Sequence, residues 1–78
     1  MTDLYPAADD REVLREAAAR HTAAVRDVEA FLRRLPELPD PADLTEYADL
    51  LTREEQTRAD RLAAAEAAGL TIASLGTE

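Results

Sequence analysis

Three prolines within six residues, Pro36-Glu37-Leu38-Pro39-Asp40-Pro41, divide the chain into two long stretches that carry neither glycine nor proline. A proline has no backbone donor and pushes the residue before it out of the α region, so no helix runs through this segment. The segment is therefore a stiff connector, and whatever forms before it must be joined to whatever forms after it by a short turn.

Before the connector, Leu14, Ala18, His21, Val25, Val28, Leu32 and Leu35 recur at alternating spacings of four and three, the heptad pattern of a helix that packs along one seam. Asp9, Asp10 and Glu12 stand in the first turn and Arg33 and Arg34 in the last, each suited to the helix dipole. After the connector, Asp40 is placed as an N-cap, Pro41 as the first helical residue and Asp43 as a first-turn acid. Ala68-Gly69-Leu70 then fits a glycine-terminated helix end.

The expected fold is all-α: an N-terminal tail over 1–8, a helix over 9–35, a turn over 36–40, a second helix over 41–68, and a C-terminal tail over 69–78. Thr52-Arg53-Glu54-Glu55 has the form of a capping box, so the alternative is a three-helix bundle with a break at Thr52. Register favours continuity. With Leu32 opposite Leu44, Val28 faces Ala48, Val25 faces Leu51, Leu14 faces Leu62, and the one polar seam residue, His21, meets Glu55.

A chain of 78 residues buries little apolar surface and needs a further source of stability. It has no cysteine, which removes disulfides and thiolate zinc sites and leaves oligomerisation. Off the expected seam, Val13, Ala17, Ala24 and Phe31 mark one edge of the first helix and Tyr47, Leu50, Ala65 and Ala68 an edge of the second. A lone hairpin has no means of covering both, so Val13, Phe31, Tyr47 and Leu50 are the expected interface of a homodimeric four-helix bundle. Leu70, Ile72 and Leu75 form a short apolar run after the second helix, either folding over the bundle end or docking on a partner.

The formal net charge of −8 repels nucleic-acid backbones and anionic lipid, and the nine arginines are interleaved with acids instead of forming a stripe. Neither nucleic acid nor membrane is an expected partner. The residues Met1 to Pro6 show no basic and apolar leader pattern, so a cytoplasmic location is the expectation, and rich use of alanine and arginine without lysine suggests a GC-rich bacterial genome.

Materials for chemistry are sparse: one histidine, no cysteine, and one serine four residues from the end. That set builds no nucleophilic triad, and no enzyme is expected. In length and acidity the chain is similar to acyl carrier proteins, whose arm sits on the serine of an Asp-Ser-Leu motif opening an internal helix. Ser74 follows Ala73, so the likeness ends at charge and length.

No cofactor is expected. His21 and Glu55 are expected to form a polar layer in the seam, although two copies of the pair about a dimer axis would supply ligands for a metal-binding bundle. The leading functional expectation is a non-catalytic interaction module that pairs with itself and with another protein. The runner-up is an acidic inhibitor, of the antitoxin or anti-sigma kind, that covers a basic partner.

Overall fold

The computed structural model describes residues 6–70, with side chains from Asp9 onward. It is an all-α helical hairpin in which α1 runs from Pro6 to Arg33 and α2 from Pro41 to Ala67. At about 1.5 Å per residue, each helix is roughly 40 Å long. No strand occurs among the described residues.

Both ends of the connector are set by local chemistry. The last turn of α1 tightens, with Arg34 donating to the Phe31 carbonyl at 3.1 Å and Leu35 to that of Leu32 at 3.4 Å. Pro36, which has no donor to continue the ladder, comes directly after. The helix thus stops two residues short of the Leu35 expected, and at its other end it begins at Pro6 instead of Asp9. Proline is well suited to a first helical turn, where its missing donor has no partner to lose.

α2 opens on a reciprocal capping box: Asp43 donates its backbone N–H to the Asp40 side chain at 2.9 Å, and Asp40 donates its own to the Asp43 side chain at 3.0 Å. The helix then passes Thr52 without a break, so the three-helix alternative is not the fold. Thr57, further along, returns its hydroxyl to the carbonyls of Arg53 and Glu54, at 2.9 and 3.0 Å. The end is a Schellman motif, in which Leu70 donates to Ala65 at 2.8 Å and Gly69 to Glu66 at 3.0 Å. Gly69 has φ +89°, where a Cβ would be strained.

The helices meet on a seam one residue away from the expected one. Leu14, Ala17, His21, Ala24, Val28 and Phe31 form the row that α1 turns to its neighbour, with Asp10, Ala18 and Val25 half-buried beside it. Tyr47, Leu50, Glu54, Thr57 and Ala64, then the C-cap Ala68, form that of α2, with Asp43, Glu46 and Ala65 half-buried alongside. Among the described residues, the buried side chains are three alanines, Ala17, Ala24 and Ala64, and Phe31, which is 2% exposed. Phe31 stacks on Tyr47 with ring centroids 5.6 Å apart and planes 15° from parallel. Small side chains thus make up most of the buried seam, and the stacked rings supply its one large apolar contact.

This arrangement corrects the expected register. Leu32, Leu44, Leu51 and Leu62, expected to face one another across the seam, remain 47%, 63%, 39% and 42% exposed. Conversely Phe31, Tyr47 and Leu50, expected as a free edge, are covered within the hairpin, and only Val13 of that set is exposed. The difference is one step of about 100° around α2 and about half of that around α1, where Leu14, His21 and Val28 belong to both rows. Asp27 with Arg53 at 3.1 Å and Arg34 with Glu46 at 2.7 Å bridge the helices along one edge of the seam. Arg34 also lies over the Phe31 ring, 5.1 Å from its centroid.

Phe31 and Val13, which share an edge in the expected register, separate in a mutational test of the observed one. Phe31→Ala is expected to destabilise the chain by about 3 kcal/mol, the usual effect of emptying a buried aromatic site, and Val13→Ala by less than about 0.5 kcal/mol. Urea unfolding monitored by far-UV circular dichroism measures both; equal losses would refute the seam.

Candidate functional site

Two features stand out from the hairpin scaffold: a polar network inside the seam and a leucine-rich face beside it. The network forms because the heptad spacing places His21 in the covered row of α1 and Glu54 in that of α2. His21 Nε2 and Glu54 Oε2 are 2.9 Å apart, and both side chains are largely covered. The acid opposite His21 is therefore Glu54, not the Glu55 expected; the one-residue rotation of α2 turns Glu55 outward to solvent.

Arginines close the network at both ends. Arg58, one turn along from Glu54, donates Nη2 to Oε1 at 3.0 Å and Nε to Oε2 at 3.3 Å. Arg61 Nη1 lies 3.1 Å from His21 Nδ1. A guanidinium only donates, so Nδ1 accepts, and the ring proton sits on Nε2, from which it donates to Glu54. No buried side-chain nitrogen or oxygen among the described residues lacks a partner.

Electrostatics set the character of this cluster. The Arg58 guanidinium, and after it the His21 ring, hold the Glu54 carboxyl below its ordinary range, while Glu54 in turn raises Arg58. Both imidazole nitrogens are thus engaged, Nε2 by Glu54 and Nδ1 by Arg61. Among the described residues no three His, Cys, Asp or Glu side chains converge as metal ligands. The cluster ties the helices together, with His21 of α1 held by Glu54 and Arg61 of α2.

On the flank opposite the ion pairs, helix periodicity brings exposed apolar side chains from both helices onto one face. Near the turn, Leu32, Leu35 and Leu44 line a groove of about 250 Å³ whose floor is Phe31 and Tyr47. Toward the open end, Leu14, Leu62, Ala65 and Leu70 line a larger groove of about 580 Å³, with His21, Arg58 and Arg61 at its polar margin. Of the apolar run expected as a docking tail, Leu70 is the exposed residue beside this groove. Ile72 and Leu75 lie outside the described residues.

No helix among the described residues is long and apolar enough to cross a membrane. Compared with known proteins, the chain gives no match to a family model, a curated protein or a solved structure.

The Glu54 layer has a pH signature. A carboxyl whose folded pKa is lowered contributes stability that is complete above its unfolded pKa, about 4.3 for a glutamate, and that disappears as pH falls through the folded value. The melting temperature of wild type is expected to exceed that of Glu54→Gln near neutrality, with the gap closing as the solution is acidified through that range. A gap that persists unchanged into strong acid would mean that Glu54 ionisation contributes nothing.

Proposed function

We propose that this chain is a non-catalytic protein–protein interaction module, a homodimeric helical hairpin that presents its leucine face to a second copy and completes a four-helix bundle. The observation that carries this is the mismatch between what the hairpin buries and what it exposes. Among the described residues, its core is one phenylalanine and three alanines, whereas eight large apolar side chains remain exposed, seven of them leucines, of which Leu32, Leu35, Leu44, Leu62 and Leu70 line the two grooves.

Physical scale supports the same conclusion. A single pair of helices with so small a core gains little from burial, and no disulfide adds to it. Each of the leucines left half exposed contributes about 1 kcal/mol when covered, which a second hairpin is able to provide. The charged edge of the seam, with Asp27, Arg53, Arg34 and Glu46, is already satisfied within the chain and suits solvent.

The surplus of acids favours a further partner of basic character once the dimer has formed. With 17 acidic and 9 basic residues, the outer surfaces carry excess negative charge, which accelerates capture of a positively charged protein. Binding of that kind weakens steeply with added salt.

The expected behaviour in solution is a dimer by size-exclusion chromatography with light scattering. Leu51→Glu and Leu62→Glu are each expected to raise its dissociation constant roughly 100-fold or more, because a symmetric interface meets the inserted carboxylate twice. Their helical signal per chain should change far less than that of Phe31→Glu. A wild type that is monomeric at every concentration would overturn the dimer.

A further inference from the structure

The outward row of α2 contains a pattern that says how a second copy would lie. Ala48, Leu51, Glu55, Arg58, Leu62 and Ala65 succeed one another at spacings of three, four, three, four and three. In reverse the spacings are the same, and so is the chemistry: alanine, leucine, charge, charge, leucine, alanine, with the two central charges opposite in sign. A helix face of this kind is complementary to itself when reversed.

We propose that two copies pack α2 against α2 in antiparallel fashion, about a two-fold axis that crosses the helix between Gln56 and Thr57. This rests on the interaction-module reading and adds the orientation and register of its partner. Leu51 of each chain meets Leu62 of the other, Ala48 meets Ala65, and Glu55 meets Arg58. Every contact occurs twice, as an isologous interface requires.

Four observations support this placement. Leu51 and Leu62 are substantially exposed, and Glu55 and the Arg58 side chain face solvent. Arg58 uses Nε and Nη2 on Glu54, which leaves Nη1 to receive a second carboxylate. A shallow groove bounded by Glu55, Arg58, Ala59 and Leu62 lies at the midpoint of the row. Beyond the row, reversal places exposed Leu44 of one chain over the open-end groove of the other, beside Ala65 and Leu70.

Charge also selects against the competing geometry. A parallel pairing in register would set Glu55 against Glu55 and Arg58 against Arg58, repulsions that the reversed pairing replaces with two attractions. The axis falls level with the polar layer, since His21 bonds to Glu54 and Arg61, which stand on either side of the midpoint. Arg58 would then join the layer inside each hairpin to the charges between hairpins.

Disulfide trapping tests this directly, because the chain has no cysteine of its own. Leu51→Cys and Leu62→Cys are prepared separately, oxidised alone and as an equimolar mixture, and resolved on a non-reducing gel, with light scattering on each sample. The mixture should yield covalent dimer in up to about half of its chains, the share that pairs one variant with the other. Neither variant alone should do so, since like positions would lie about 16 Å apart along the helices, beyond disulfide reach.

Covalent dimer from either variant alone, or a dimeric mass with no cross-link in the mixture, would overturn the register while leaving the module intact. A monomeric mass in all samples and in wild type would overturn the module reading itself. Glu55→Arg provides an independent check: it should weaken the dimer, and Glu55→Arg/Arg58→Glu together should restore it.

Discussion

Burial of Ala17, Ala24 and Ala64 between the two helices, anchored near the turn by the Phe31–Tyr47 stack, is the constraint on which the rest of the hairpin depends. A helix has only one rotation about its own axis that brings a given row to its neighbour. Once the alanine row is inward, Asp27 and Arg34 fall on one flank within reach of Arg53 and Glu46, and Leu32 falls on the other. The division into a charged edge and a leucine edge is thus a geometric consequence of which small residues touch.

That constraint also sets the energetics. Alanines permit close contact but bring little apolar area with them, so the interior of the hairpin is thin and the larger hydrophobic side chains are displaced outward. The polar layer of His21, Glu54, Arg58 and Arg61 links the helices without adding apolar burial. Local devices at the ends, the Asp40–Asp43 capping box and the Gly69 motif, satisfy backbone groups that would otherwise be unpaired. The hairpin thus keeps a polar layer in its seam and most of its large apolar side chains on its outer face.

Much of the hairpin was legible in the sequence because it is local. Prolines at 36, 39 and 41 dictate a turn, Asp40 and Asp43 cap the second helix, and Gly69 ends it, all through interactions spanning a few residues. Rotation was not legible, because α1 carries two overlapping heptad rows that share Leu14, His21 and Val28 and differ by one residue elsewhere. Hydrophobicity alone favours the row with Val25 and Leu32; the structure uses the row with Ala24 and Phe31. A signal was nonetheless present: Phe31 and Tyr47 stand at similar distances from the connector, and Asp27/Arg53 and Arg34/Glu46 are complementary pairs at matching levels. The same rotation explains why Glu54, and not Glu55, meets His21.

The most direct measurement is an isotope-filtered nuclear Overhauser experiment on a sample made from equal parts labelled and unlabelled chain. It distinguishes contacts within one molecule from contacts between two. The account predicts Phe31–Tyr47 contacts within a chain and Leu51–Leu62 contacts between chains. Phe31–Tyr47 contacts arising between chains, with Leu32 and Leu44 touching within one, would contradict it.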